Sequence, residues 1–302
     1  MTKLLNIKSK KSKARIALFG GGRWARVLLD VCLKNTEQNI IFTVHTSHFI
    51  DDMRMWASKN GFKNRVEVTG IEPNFLELDY KAAIVANSAH NHKKSAEFAI
   101  AARIPVLVEK PITPSFSETN SLIQSAKNNE THLSPSWVFL HAKYIDNFIN
   151  HIGGPEQIQK LWFEWTDESA EMRYGETKSY DSAIPIFKDV MPHVLSILSK
   201  IFKNQIFEFR SCKVSHGGRC VEIIITVLDI ECCLKLERNS KKRRRKIVIK
   251  GQKDLQLDFA VEPGTISVDG YNFDGDPYWS SSPSPLEKMI TKKKRKYNPP
   301  IH

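Results

Sequence analysis

The stretch ARIALFGGGRWARVLLDVCLKN, residues 14–35, restricts this chain more than any other. Residues 16–19 read as a short buried strand, three glycines follow, and Val27, Leu28, Val31 and Cys32 then recur at helical spacing. Gly20 to Ala25 fits G-x-G-x-x-A, directly after a strand and opening a helix. Glycines let backbone approach a pyrophosphate, and a helix N-terminus offers free N–H groups and a positive dipole end. The segment predicts a dinucleotide turn, with Gly20, Gly22, Arg23 and Trp24 toward the cofactor. No G-K-[ST] follows the glycines, which excludes an ATP P-loop.

Strands and helices then alternate. NIIFTVHTS is a second strand, and FIDDMRMWASKNG is a helix ended by Gly61. RVEVTG and YKAAIVANS are strands, NHKKSAEFAIAARI is a helix, and PVLVEK is a strand stopped by Pro111. SFSETNSLIQSAKNN is a helix with Ser115 or Ser117 as its cap. Such alternation predicts a parallel, doubly wound sheet. The pattern changes after about residue 135: EQIQKLWFEWT is a long strand, a polar loop runs to Ser182, and a helix carries FKDVMPHVLSILSKIF. The strands IFEFRSCKV, CVEIIITVLD, ECCLKLER, RRKIVIKG, LQLDFAV and TISVDG follow with short turns, which predicts an antiparallel or mixed sheet. SPLEKMI starts a last helix. The chain thus divides into a basic leader (1–15), a dinucleotide-binding domain (16–135), a second α/β domain (136–290) and a basic tail (291–302).

Composition excludes several classes. No apolar run nears the ~18 residues that span a bilayer, and residues 16–19 are too short for a signal-peptide core. The five cysteines contain no C-x-x-C pair, which argues against a disulfide framework or a metal site and for a reducing cytoplasm. The net charge of +12 suggests nucleic acid until it is located. Residues 1–15, KKRRRK at 241–246 and KKKRK at 292–296 hold 17 of the 45 basic residues, leaving 28 against 33 acidic ones. The body is mildly acidic, and the basic runs read as solvated tails and one hairpin, with no nucleic-acid partner expected.

Three constellations carry chemistry. The second strand ends in VHTSH, without the acid that would bind a ribose 2′-hydroxyl. Thr46 and Ser47 can donate to a 2′-phosphate, with His48 or Arg54 adding charge, which favours NADP(H) over NAD(H). PVLVEKPIT delivers Glu109 and Lys110 to the carboxyl end of a buried strand, where open parallel sheets bind ligands. Asp189 and His193, in KDVMPH, are four apart and share a helix face. A carboxylate one turn from an imidazole can orient it and raise its pKa, which suits proton transfer.

GGGRWA, ANSAHNH, VEKP and D-x-x-x-H occur in an order that resembles the glucose–fructose oxidoreductase / inositol dehydrogenase (Gfo/Idh/MocA) family. The resemblance implies an N-terminal Rossmann domain, a C-terminal α/β domain with a large open sheet, and an active site in the cleft between them. It implies that Lys110 reaches the nicotinamide and the reacting carbon, that His193 is the acid/base, and that Asp189 is its orienting or second carboxylate. It also implies that Glu109 anchors the strand end near the cofactor, that Asn87 replaces a usual threonine or serine there, and that His92 matches a histidine found after the fourth strand. The open sheet often serves dimerisation in this family, so a homo-oligomer is expected.

The chain also departs from the family. No glycine pair precedes Asp189, so the substrate loop is its own, with Arg173, Tyr174, Lys178 and Tyr180 available to hydroxyl or anionic groups. After SPLEKMI the family continues a longer apolar helix, whereas this chain turns to TKKKRKYNPPIH, as a natural shortening, a frameshift or a truncated gene would produce. The expected activity is hydride transfer between a nicotinamide and a carbonyl or hydroxyl carbon of a sugar, sugar derivative or nucleotide-sugar. The alternatives are imine reduction in a secondary metabolite, or a catalytically silent NADP-binding regulator.

Overall fold

The structure, a computed structural model, describes residues 13–75, 77–173, 176, 177, 180, 182–203 and 205–291, with Arg173 described by its backbone alone. Tyr174, Lys178, the leader to residue 12 and the tail from residue 292 lie outside the described residues. The chain divides into two units, Met1–Ser136 and Trp137–His302.

In the first unit the elements run β1 (Arg15–Phe19), α1 (Arg23–Asn35), β2 (Ile41–His45), α2 (Ile50–Lys59), β3 (Val66–Thr69), β4 (Tyr80–Val85), α3 (His92–Ala101), β5 (Val106–Val108), α4 (Phe116–Asn128) and β6 (Leu133–Pro135). All six strands are parallel, in the order β3-β2-β1-β4-β5-β6. The order reverses at β1 and β4, the switch point beside which a Rossmann sheet binds its ligand. Period-2 alternation divides the strand side chains between two faces. Ala17 and Phe19 pack with Ala96, Ala99, Ile100, Leu122 and Ala126 of α3 and α4. Helix α1 buries Ala25, Leu28, Leu29, Cys32 and Leu33. Its apolar stripe is turned from the one expected: Leu28 and Cys32 lie inside, while Val27 and Val31 are only half-buried. Ser115 stands at the cap position of α4, but its hydroxyl meets that of Ser117 at 2.9 Å and caps no backbone N–H.

The second unit runs α5 (Lys143–Ile152), β7 (Ile158–Glu168), β8 (Met172–Arg173), β9 (Glu176–Thr177), α6 (Ile186–Ile201), β10 (Glu208–Ser215), β11 (Cys220–Val227), β12 (Ile230–Ser240), β13 (Arg244–Gly251), β14 (Leu255–Asp258), β15 (Thr265–Val268), β16 (Tyr271–Asp274) and α7 (Pro285–Thr291). Eight strands form one mixed sheet in the order β10-β11-β12-β7-β13-β14-β15-β16, antiparallel throughout except for the parallel β7–β12 pair. One sheet face buries Leu161, Phe163, Trp165, Leu234, Leu236, Ile247 and Leu257 against Tyr144, Phe148, Val190, Val194 and Ile197 of α5 and α6.

The basic run at 241–246 is neither a hairpin nor wholly solvated. Strand β7 lies between β12 and β13, so the run crosses the end of β7, where Thr166 donates to the carbonyl of Lys242. Within β13, Arg244 points outward to Glu164, while Arg245 is 2% exposed and pairs with Asp167. A buried cation needs such a partner, and Arg245 also lies over the Trp165 ring, 3.7 Å from its centroid.

Candidate functional site

The glycine turn leaves β1 at the switch point. Gly20 has φ +120°, and a Cβ there would stand 2.7 Å from the carbonyl oxygen of Ala86 and 2.8 Å from the amide nitrogen of Asn87. Only glycine fits that backbone without displacing the end of β4. Gly21 is also enclosed, its would-be Cβ 2.6 Å from Phe49 Cβ and 2.9 Å from Thr46 Oγ1. Gly22 is different: a Cβ there meets nothing within 4 Å among the described residues. It is the N-cap of α1, and the first turn beyond it carries no acidic side chain. An open glycine at a helix N-terminus, with no acidic side chain in the first turn, suits a phosphate. Arg23 and Trp24 begin that helix.

At the end of β2, His45 is buried and bonded through Nδ1 to the carbonyl of Ile71 at 2.7 Å, and burial lowers its pKa. Thr46 follows with its hydroxyl against Gly21, but its backbone N–H is already bonded to the carbonyl of Thr69 at 3.0 Å. Ser47 and His48, which follow, are exposed. Arg54 is 3.5 Å from Asp51 and donates to the carbonyl of Val68.

Beyond β4, Asn87 donates through Nδ2 to Ser95 Oγ at 2.9 Å, and its Oδ1 is buried without a hydrogen-bond donor among the described residues. His92, at the start of α3, is 2% exposed. Its Nδ1 lies 2.8 Å from the carbonyl oxygen of Pro111 and its Nε2 lies 3.1 Å from that of Asn87. An imidazolium would donate to both carbonyls, but burial first and the Lys110 charge second push the pKa down. The neutral ring donates at the shorter contact, to Pro111. His92 thus braces the turn after β4 to the bend after β5, and it presents no surface to a cofactor.

Strand β5 ends at Val108, and Glu109 continues the ladder through its N–H to the carbonyl of Val85. The Glu109 side chain is buried, which raises its pKa. The hydroxyl of Ser136 (2.5 Å from Oε1), the indole N–H of Trp24 and the backbone N–H and charge of Lys110 act in the opposite direction. Glu109 thus ties α1, the strand tip and the end of β6 together beneath a half-buried Lys110.

Asp189 and His193 lie on α6 in the second unit, whereas Lys110 lies in the first. The His193 ring stacks on Trp165 (5.4 Å, 13°) and meets Phe139 edge-on (5.1 Å, 87°). Asp189 Oδ2 accepts from Arg238 at 2.9 Å. Of the candidate substrate residues, Tyr180 is half-exposed, its hydroxyl accepting from Asn239 Nδ2 at 3.1 Å and its ring 4.7 Å from the Arg238 guanidinium. Arg173 pairs in β8 with Glu176 through its backbone. Ser95, Ser136, Trp165, Phe139 and Arg238 escaped the sequence reading, because no local spacing links them to the motifs they support. No group of three or more His, Cys, Asp or Glu side chains among the described residues could hold a metal ion. No helix among them is long and apolar enough to cross a membrane.

Residues 14–136 match the family described as "Oxidoreductase family, NAD-binding Rossmann fold" (Gfo/Idh/MocA). No curated protein matches the chain. Among solved structures, the chain is similar to a 3-ketoreductase from Actinomadura kijaniata in complex with TDP-benzene and NADP (16% identity, TM-score 0.74, covering 92% of this chain and 87% of that one). It is also similar to a UDP-N-acetylglucosamine 3-dehydrogenase from Acidithiobacillus ferrooxidans (17%, TM-score 0.70, 91% and 86%). A third is a biliverdin reductase from Synechocystis in complex with biliverdin and NADP+ (12%, TM-score 0.65, 91% and 88%). At these identities the likeness establishes the fold.

Proposed function

Because residues 14–136 match the oxidoreductase family with its NAD-binding Rossmann fold, we propose that the chain is a Gfo/Idh/MocA-type NADP(H)-dependent oxidoreductase acting on a sugar, sugar derivative or nucleotide-sugar. The observation that carries the reading is the open Gly22 at the N-terminus of α1, beside the β1/β4 switch point, with Lys110 following β5 next to β4. When bound, the nicotinamide supplies or accepts the hydride. Gly20 keeps β1 close to the end of β4, Gly22 leaves room for a pyrophosphate, and the N-terminus of α1 would hold it. Thr46 Oγ1 and Ser47 Oγ would hold the 2′-phosphate of the cofactor, and Asn87, whose Oδ1 lacks a donor among the described residues, would contribute on the nicotinamide side.

Lys110 donates to the substrate oxygen as negative charge develops there, and exchanges the hydroxyl proton. Glu109 and His92 act through Lys110, since both side chains are buried and bonded within the protein. His193 is the second acid/base group. Tyr180, Arg173, Tyr174 and Lys178 belong to the segment that meets the substrate. The nucleotide-sugar reading is supported by the 3-ketoreductase and the 3-dehydrogenase named above. The cytoplasm is the proposed compartment, and a homo-oligomer the proposed assembly. The experiment is to incubate the purified chain with NADP+ or NADPH and a panel of UDP- and TDP-sugars and their 3-keto forms, following absorbance at 340 nm. Turnover of at least one at a rate abolished by Lys110→Ala supports the reading. Cofactor binding with no turnover on sugars, and turnover on an imine instead, would redirect it.

A further inference from the structure

The basic run at 241–246 has no part in the proposed function, yet its Arg245 is buried in the second unit. Strand register sets Arg245 of β13 directly opposite Trp165 of β7. The guanidinium carbon lies 3.7 Å from the centre of the Trp165 ring. Its Nη1 donates to the carbonyls of Thr166 (2.6 Å) and Arg244 (2.7 Å), and its Nη2 donates to Asp167. A fork bonded at both of these nitrogens keeps its place over the indole. The same indole carries the His193 ring, with centroids 5.4 Å apart and planes 13° from parallel. Phe139 meets both rings edge-on, at 5.1 Å and 87° for His193 and at 5.6 Å and 89° for Trp165. Arg245 comes from β13, and α6, which carries His193, packs on β12; these strands are the two neighbours of β7. Cation and imidazole therefore reach the indole from the two sides of its strand.

We infer that Arg245 is a positioning residue: it holds the Trp165 indole in place, and the indole sets the tilt of the His193 ring. The catalytic consequence rests on the acid/base reading of His193, but the arrangement can be tested without any substrate. A cation over an indole face is drawn to the negative centre of the ring, and burial strengthens the attraction because water does not compete for the charge. Aromatic rings prefer offset-stacked or edge-on neighbours with centroids ~4.5–7 Å apart, and both contacts of His193 fall in that range. Hydrogen bonds at the imidazole nitrogens lie in the ring plane, whereas a stacked indole acts along its normal, so the two restrain different motions. Lysine does not replace Arg245, since an ammonium offers a point charge on a flexible stem and no planar face. The neighbouring Arg244 serves as an internal control: it is exposed and pairs with Glu164 on the opposite face of the sheet.

The test is NMR of the histidine ring protons in the full chain, with His193 assigned by His193→Gln. Shifts are read where the ring is neutral in every variant, so that a changed charge is not mistaken for a changed stack. Trp165→Leu moves the His193 signals toward those of an unstacked histidine, and Trp165→Phe leaves them nearer to wild type. Arg245→Lys moves both the His193 signals and the Trp165 indole N–H signal, while Arg244→Met moves neither. Should Arg245→Lys fail to fold, the Arg245→Gln/Asp167→Asn double variant, which removes both charges of the pair at once, takes its place and moves the same signals. Unmoved His193 signals in a folded Arg245 variant, or in Trp165→Leu, overturn the inference. On any nucleotide-sugar that the wild type turns over, Arg245→Lys lowers kcat by roughly ten- to a hundredfold and leaves the Kd for NADPH unchanged, as a misplaced acid/base group would. An unchanged kcat beside moved signals overturns the catalytic consequence. Wild-type turnover by His193→Ala would instead sink the acid/base reading and leave the signal shifts intact.

Discussion

Gly20 and Gly22 stand two residues apart, and the account gives them opposite duties. Alanine at Gly20 would adopt φ +120°, a conformation that L residues rarely hold, with its Cβ 2.7–2.8 Å from backbone atoms of Ala86 and Asn87. The conformation costs of order 1–3 kcal/mol, and relieving the overlap means moving β1 from β4 by several tenths of an ångström. A total near 3 kcal/mol corresponds to a fall in melting temperature of roughly 10 °C for a unit of this size. Alanine at Gly22 meets nothing within 4 Å among the described residues, at an ordinary φ of −70°. Its cost is the weaker N-cap preference of alanine, about 1 kcal/mol or less. That added methyl nevertheless occupies the space through which a pyrophosphate must approach the helix N–H groups. Losing one charge-assisted hydrogen bond of ~1.5–3 kcal/mol weakens binding about tenfold or more. The assays are differential scanning fluorimetry and NADPH fluorescence titration on both variants. Gly22→Ala should keep its melting temperature within a few degrees of wild type and lose NADPH affinity, whereas Gly20→Ala should melt early. Wild-type NADPH affinity in Gly22→Ala would refute the assignment of this turn to the pyrophosphate.

Other outcomes follow from the same geometry. Lys110→Ala and His193→Ala should each lower turnover by ~10²-fold or more, and His193→Ala should keep the wild-type Kd for NADPH, because His193 lies in the second unit; near wild-type rates in both would void their roles. Thr46→Asp should shift the Kd ratio toward NADH by about tenfold, since its side chain sits over Gly21 where a carboxylate would repel a 2′-phosphate; an unmoved ratio would place the ribose elsewhere. Burial raises the Glu109 pKa, so the folded state holds that proton more tightly than the unfolded state does. The resulting stabilisation is complete below the unfolded value of about 4.3 and declines as pH rises through the raised folded value. The melting temperature of Glu109→Gln relative to wild type should therefore climb as pH rises above the unfolded value; a pH-independent difference would contradict the sign.

The parts of the fold legible in the sequence were those written in short-range pattern. The strand–glycine–helix start, the alternation through β5 and the strand-rich second half all follow from periods of 2 and 3.6 residues. Helix α5 was passed over although Tyr144, Ile145, Phe148 and Ile152, which it buries, recur at helical spacing. The run at 241–246 misled for a different reason. Composition says that six consecutive cations are solvated, whereas strand alternation sends Arg245 inward to Asp167, 78 residues earlier. That β7 separates β12 from β13 is a fact of sheet order, which local pattern does not encode. The supporting contacts of the candidate site are likewise non-local: Ser136 reaches Glu109 across 27 residues, and Arg238 reaches Asp189 across 49. Even the backbone N–H of Thr46, free in a sequence view, is bonded to the neighbouring β3 strand end at Thr69.

The most direct test of the central claim is a pair of dissociation constants, for NADPH and for NADH, measured by cofactor fluorescence on the purified wild-type chain. The account predicts saturable, stoichiometric binding of both, with NADPH favoured by about tenfold or more through the Thr46 and Ser47 hydroxyls. Failure of either nucleotide to bind at millimolar concentration would contradict the reading of the glycine turn. NADH binding as tightly as NADPH would contradict the role given to the end of β2.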